Sequence, residues 1–338
     1  MDPILGLASL AANGLDIYPE TLRLLVGCIG LLLLGMAFHR QESGGPMFAV
    51  LGWPLIGLYF YLDIPHYVAI GDVVLVVMSG AALPAAIAAS VWEWRLHRNG
   101  TTEEALVWLR GGVFWSAMPY LLISKVPYLN VSAVWITAWS AILFLRFAGF
   151  GNLSMGPMTV DSTDGAQIAW SAWEGNRWLM TESLGSGGFF VPIMQSGGEP
   201  VHIGIILACS ALQSMIVFVG CIGAIRTAPI KRRIRAMLIV LPTIHVLNVF
   251  RNAGIIWLYI AYPDWRILGL NIFDFAHSYA AKFGSLFAMF LIAFVLFDLL
   301  PDMHRHVMRL MQPLLKAFDM TEQALARLFG VIAKRRGS

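Results

Sequence analysis

The chain has 338 residues, 58% of them hydrophobic and only 13% charged, with a formal net charge of +3 and a mean hydropathy of +0.71. Soluble domains carry roughly 25% charged residues, so a soluble globular protein is excluded. The 23 basic and 20 acidic residues flank apolar segments instead of forming one basic patch, which argues against nucleic-acid binding.

The architecture expected is an all-α polytopic membrane protein, a helical bundle of seven to eight transmembrane segments. The start of the chain lacks a basic n-region and runs into Asp16 and Glu20, so residues 22–38 read as a retained first helix rather than a cleaved leader. Apolar runs follow at 47–62, 67–92, 106–123 and 131–150, several near the ~20 residues a crossing helix needs. Residues 1–150 thus form an N-terminal set of transmembrane helices. Asp72 reads as a polar anchor near the outer surface. Residues 151–201 are too long for a connector and carry Trp170, Trp173 and Trp178, the acids Asp161, Asp164, Glu174 and Glu182, and the run Gly185-Ser186-Gly187-Gly188. They read as an extracytoplasmic cap that helps form a site, with interfacial tryptophans as the alternative. The glycine run follows no expected strand and has no GK[ST], so a phosphate loop is excluded. Three further apolar segments, 202–225, 237–260 and 273–299, make a three-helix core over 202–300. Residues 301–338 read as an amphipathic cytoplasmic tail.

Five basic residues and no acid lie between positions 226 and 235, which places that loop in the cytoplasm. Arg40, Arg95 and Arg98 also belong inside. Counting back from the 226–235 loop puts residues 151–201 outside, whereas counting forward from Arg40 with every apolar run crossing puts them inside. The five-charge loop is the stronger signal. The run 106–123, with Arg110-Gly111-Gly112, Pro119 and the nearby Lys125, is therefore expected not to cross fully. Seven crossings with the N-terminus outside result.

Ionisable groups inside the hydrocarbon cost about 2.5–3.5 kcal/mol each at a helix centre and are functional candidates by default. The last three helices hold most of them. Helical spacing puts Cys209, Ser210, Gln213 and Ser214 on one face, His245, Asn248 and Asn252 on a second with Arg251 beside it, and Asp274, His277, Ser278, Lys282 and Ser285 on a third. Counted from the outer ends, Cys209, Arg251 and His277 lie about 10, 14 and 6 Å deep. A thiol, a guanidinium and an imidazole at one level make a nucleophilic site: the imidazole exchanges protons, and the cation favours the thiolate and an oxyanion. The bland alternative is that cysteine, serine, asparagine and glutamine merely join helices. Cys28 and Cys221 read as structural, and His245 as a satisfied interior histidine. His66 and His202 read as solvated histidines at outer-side loops or helix ends. All three cysteines sit in apolar runs, which leaves no disulfide framework and no CxxC site. No paired-histidine metal spacing and no nucleotide or haem signature is present, so no cofactor or metal is expected.

The runs Leu207-Ala208-Cys209-Ser210-Ala211-Leu212-Gln213-Ser214 and Val246-Leu247-Asn248-Val249-Phe250-Arg251-Asn252, the basic loop between them, and His277 with Lys282 together resemble the exosortase/archaeosortase family, over roughly residues 147–301. The resemblance implies a membrane-embedded cysteine transpeptidase acting on secreted surface proteins. Their C-terminal sorting signal comprises a short motif (Pro-Gly-Phe in the branch most similar), a transmembrane helix and a basic cluster. It implies Cys209 as nucleophile and Arg251 as stabiliser of thiolate or oxyanion. His277 is implied as acid and base, with Lys282 the alternative basic partner because some members use arginine where others use histidine. Gln213, Asn248 and Asn252 are expected to hold these groups in place. The partners implied are the secreted substrates and a membrane phospholipid whose head-group amine resolves the acyl-enzyme. The site would face the extracytoplasmic side. A second reading, from another class, is a small-molecule transporter with Arg251, His277 and Asp274 lining a pathway, but no repeated half or matched pair of broken helices supports it. A third, an intramembrane serine protease built on Ser186, lacks a helical setting and a partnered base.

Overall fold

The computed structural model describes residues 3–14, 18–40, 45–69, 71–180, 184–195, 198–267, 269–313 and 315–316. Glu182 and the part of the expected tail beyond 316 lie outside the described residues; 301–313 are helical. Before that stretch the described helices are, in chain order, α1 Pro3–Gly14, α2 Pro19–His39, α3 Gly45–Tyr61, α4 Ile64–Ala69, α5 Val73–Arg98, α6 Glu104–Lys125, α7 Pro127–Phe147, α8 Leu212–Gly223, α9 Ile230–Ala261, α10 Ile272–Phe275 and α11 Ala281–Leu299. Seven spans are long and apolar enough to cross a membrane: α2, the stretch Gly45–Ala69, α5, α6, α7, α9 and α11. The protein is a polytopic helical membrane protein, as its composition requires.

Two compact units divide the chain. One draws on residues up to Phe114, on Ala224–Ala228 and on the chain from Leu300; the other comprises Trp115–Gly223 and Pro229–Leu299. In the first unit α3 packs between α2 and α5. Glycines set the spacing: a Cβ on Gly57 would stand 2.9 Å from the Leu83 Cα, so only glycine admits α5 this closely. Asp72 caps α5 by accepting the Leu75 N–H at 3.1 Å, and Ser90 Oγ donates to the Val50 carbonyl at 2.7 Å.

Residues 106–123, expected to stop short of a crossing, meet the length and hydropathy of one. They lie within α6, a continuous helix of 22 residues. Arg110 is tolerated there because its Nε and NH2 groups donate to the two carboxylate oxygens of Glu93 on α5 at 2.7 and 2.5 Å, while NH1 donates to the Ala37 carbonyl at 3.2 Å. Both side chains are almost wholly buried, and a bidentate, fully hydrogen-bonded pair offsets the desolvation of its charges. Gly111 makes room for the Phe38 ring, which a Cβ would meet at 2.4 Å.

Between α7 and the cysteine segment the described residues form an antiparallel sheet of β1 Ser154–Met155, β2 Thr159–Ser162, β3 Gln167–Ala169, β4 Leu184–Met194 and β5 Pro200–Ile206, in the order β1-β4-β2-β3 with β5 on β4. The glycine run expected to lie in a loop is part of β4; it gives way to Asp161, whose Oδ2 accepts the Gly187 N–H at 2.8 Å. Val191, Ile193, Val201, Ile203 and Ile205 share a buried cluster with Val134, Ala138, Ala141, Ile142 and Leu145 of α7. The tryptophans organise the cap rather than lying flat on its surface. Trp173 is buried against Val160 and Phe189, and the Arg177 guanidinium sits over the Trp170 ring at 5.1 Å. Trp178 alone of the three is freely exposed, at 74%.

Glu93→Ala strands the Arg110 guanidinium in a dry interior and should cost about 3–5 kcal/mol, whereas replacing both partners by apolar residues should restore most of it. Thermal unfolding of the three proteins in detergent reads the difference.

Candidate active site

The expectation of one transmembrane helix over 202–225, with Cys209 on its polar face, is corrected by the structure. Val201, Ile203 and Ile205 are buried while His202 and Gly204 are exposed, the period of a strand, and β5 pairs with β4 through Phe190–Ile206, Val191–Ile205 and Pro192–Gly204. β-Branched residues suit that surface. A single 3₁₀ turn, Leu207–Ser210, carries the cysteine, and Ala211 then takes a left-handed conformation at φ 53°. α8 begins only at Leu212 and has 12 residues. Cys209 and Ser210 therefore do not continue the face of Gln213 and Ser214.

The left-handed alanine costs about 1–2 kcal/mol, and the surrounding hydrogen bonds over-determine it. Ser210 Oγ donates to the Leu207 carbonyl at 2.6 Å and accepts the Leu212 N–H at 3.2 Å. Two asparagines one turn apart on α9 then converge on the cysteine: Asn248 Nδ2 and Asn252 Nδ2 both donate to the Cys209 carbonyl, at 2.8 and 2.9 Å. Both lone pairs of that oxygen are thereby filled. The Cys209 side chain is buried against Ala253 and Ile256.

Arg251 lies on the same stretch of α9. It makes no ion pair among the described residues, and its buried Nε has no hydrogen-bond partner. Its charge acts on both the Cys209 thiol and the His277 imidazole. Cys209 and His277 both lie outside the seven membrane-length spans. Burial pushes the Cys209 thiol up, while a backbone hydrogen bond from Ile206 and the Arg251 charge pull it back. His277 sits in a turn of π-helix, Ala276–Ala280, its ring stacked on Phe273 at 5.5 Å. Burial holds this imidazole below its usual value, as do the charges of Arg251 and Lys282, against the opposing effect of Asp274. It is therefore a neutral base at neutral pH.

The structure thus ties Cys209 to Asn248 and Asn252 directly, and to Arg251 through the field. No hydrogen bond joins Cys209 to His277 among the described residues. Lys282 is exposed on the first turn of α11. Gln213 reaches away from the cysteine, its Nε2 donating to the Tyr120 hydroxyl on α6 at 3.2 Å. Asp274 is held by Asn271, whose Nδ2 donates to its carboxylate at 2.8 Å. His245 is a satisfied interior histidine, 3.3 Å from Ser140 Oγ. Cys28 on α2 and Cys221 on α8 are half-buried and form no disulfide among the described residues. No group of residues able to hold a metal ion occurs among the described residues. The features that sequence reasoning missed are the strand entering the site and the left-handed Ala211; the alternation of β-branched and exposed residues over 200–206 was the available signal.

In a variant whose Cys28 and Cys221 are replaced by alanine, alkylation of Cys209 should have its pH midpoint above that of an ordinary thiol. Arg251→Gln removes a charge that lowers it, so the midpoint should move further up. A midpoint unchanged by that substitution would separate the two residues.

No family model matches the chain, and no solved structure matches it. It is similar to archaeosortase A of Haloferax volcanii, with 25% identity over 229 residues, covering 67% of this chain and 68% of that protein. The likeness points to the archaeosortases, and through them to a sortase-like membrane transpeptidase, without fixing one member.

Proposed function

We propose that the protein is a cysteine transpeptidase of the archaeosortase A type, which cleaves the C-terminal sorting signal of secreted surface proteins and transfers them to a membrane lipid. The observation that carries this reading is a guanidinium without an ion pair among the described residues, Arg251, placed on the stretch of α9 that holds Cys209 and acting on both its thiol and the His277 imidazole. A transport pathway gives no reason for two asparagines to grip the backbone of a cysteine.

In this reading His277 takes the thiol proton, and Cys209 Sγ attacks the scissile carbonyl carbon. The oxyanion that forms is stabilised by Arg251, which stays charged in any environment and presents several donors. Collapse of the tetrahedral intermediate breaks the C–N bond, and His277 returns its proton to the leaving amine. The departing fragment carries the transmembrane helix and the basic cluster. The remaining thioester is attacked by an amine on a lipid head group, whose proton passes to His277 as the thiol is regenerated. Lys282 stands near enough to His277 to lower its proton affinity, so its part here is electrostatic. Asn248 and Asn252 fix the nucleophile, and Gln213 anchors α8 to α6.

The same reading puts the site at the extracytoplasmic side. Lys231, Arg232, Arg233 and Arg235 crowd the start of α9, the cytoplasmic end by the distribution of basic residues. Asn248 and Asn252 lie about 27 and 33 Å along the helix from there, across the ~30 Å hydrocarbon layer. α6 runs antiparallel to α8, since Tyr120 meets Gln213 while Trp115 lies nearest Gly223. α7 runs in the same sense as α9, through Ser140–His245 and Phe144–Phe250.

The test is a reporter ending in Pro-Gly-Phe, an apolar helix and basic residues, supplied to the purified protein in lipid. Mass spectrometry should show loss of the C-terminal helix and a lipid-sized gain. Cys209→Ala should abolish both, and His277→Ala and Arg251→Gln should lower turnover by about 10²–10⁴-fold. Equal processing by the alanine variant would contradict the mechanism, and a transporter would be indifferent to the substitution.

A further inference from the structure

A cavity of about 400 Å³ lies between α9, the π turn and α11, with Ala211 and Ser214 of the cysteine segment on its rim. Its wall is small at Ala280 of the π turn and, four and eight residues on, at Gly284 and Ala288 of α11, and Gly254 lines it from α9. A Cβ built on Gly254 or Gly284 would meet nothing within 4 Å. These glycines therefore do not serve a contact inside the protein, unlike Gly57 and Gly111. α11 is barely covered, only 6% of its apolar window being buried.

The cavity also holds a polar signal. Asn248 is only 5% exposed and lines it; its amide nitrogen is committed to the Cys209 carbonyl, and its Oδ1 has no hydrogen-bond partner among the described residues. Arg251 lines the same space with its Nε unpartnered. A buried acceptor without a donor costs about 1–3 kcal/mol, which an occupant bearing N–H groups would remove. A lipid acyl chain has none. The first turn of an α-helix has four N–H groups without intrahelical partners, and small residues at every fourth position are the surface on which membrane helices approach closely.

We propose that this cavity is the docking groove for a single transmembrane helix of the protein substrate, its first turn at Asn248 and its body running along Gly284 and Ala288 toward Ile292. The proposal rests on the peptide-processing reading and adds to it the place where the substrate's helix lies. The helix's N-terminal turn beside Asn248 puts the extended residues preceding it next to Arg251 and the Cys209 turn. Because α11 is open to the bilayer, the helix arrives laterally without leaving the hydrocarbon.

The test uses the full-length protein in lipid and the reporter described above. Gly284→Leu and, separately, Ala288→Leu should raise the reporter concentration for half-maximal processing by about tenfold, the equivalent of a small loss in packing, while alkylation of Cys209 stays as in wild type. In a Cys209→Ala background that traps uncleaved reporter, Gly284→Cys should cross-link to a cysteine in the reporter's helix, and Phe290→Cys on the exposed face of α11 should not. Wild-type kinetics in both leucine variants, or equal cross-linking at the two positions, would overturn the groove while leaving the cysteine chemistry intact. Loss of a co-purified phospholipid from Gly284→Leu with unchanged reporter kinetics would make it a lipid site and overturn it equally. Processing by Cys209→Ala would instead bring down the peptide-processing reading itself.

Discussion

The carbonyl oxygen of Cys209 accepts two amide hydrogens from side chains one turn apart on a single helix, and the geometry of the site depends on that junction. It fixes the depth of the cysteine turn along α9 and sets its distance from Arg251. It also holds a left-handed alanine in place immediately before α8. Apolar contacts with Ala253 and Ile256 exclude water but do not select one orientation. In a dry setting an amide–carbonyl bond has no competing water, so a pair of them is an effective positional constraint. Among the described residues the arrangement leaves the Asn248 Oδ1 and the Arg251 Nε without hydrogen-bond partners, and both residues line the cavity proposed to take the substrate's helix.

The polytopic class was legible because an apolar run of about twenty residues matches the thickness of a bilayer and far exceeds what a buried strand needs; the seven membrane-length helices follow from it. The polar stripe on α9 was legible as well, since Asn248 and Asn252 recur at helical spacing in an apolar helix. The segment leading into Cys209 was not. Residues 202–225 form an unbroken apolar run, and length favoured a crossing helix over the shorter strand-turn-helix that exists. The discriminating signal, buried Val201, Ile203 and Ile205 against exposed His202 and Gly204, spans only a few residues and depends on β4, which pairs with it from an earlier part of the chain. Arg110 misled for a related reason. Its partner Glu93 stands on a different helix, and a charge looks intolerable in a crossing segment until its counter-ion is known.

α7 and the sheet pack on one another in the part of the chain where the two charge counts disagree. A helix with one face against a sheet and Trp135, Trp139 and Phe147 exposed on the other meets the length and hydropathy of a crossing while packing as a helix does in an α/β layer. Counting charges alone cannot separate the two, because α7 carries only Arg146, whose Nε is spent on the Leu153 carbonyl at 2.9 Å. Site residues differ in how far they are explicit in the geometry: Asn248 and Asn252 hold the Cys209 carbonyl directly, whereas His277 makes no hydrogen bond to Cys209 among the described residues, and its proposed part is chemical.

The most direct measurement is to catch the covalent intermediate. The protein, in a detergent free of amine-bearing lipid, would be mixed with the sorting-signal reporter, quenched in acid and digested for mass spectrometry. The predicted result is the N-terminal fragment of the reporter attached to the peptide containing Cys209, as a thioester that hydroxylamine removes. Release of the reporter's helix with that peptide unmodified, or with the fragment on another residue, would contradict the mechanism.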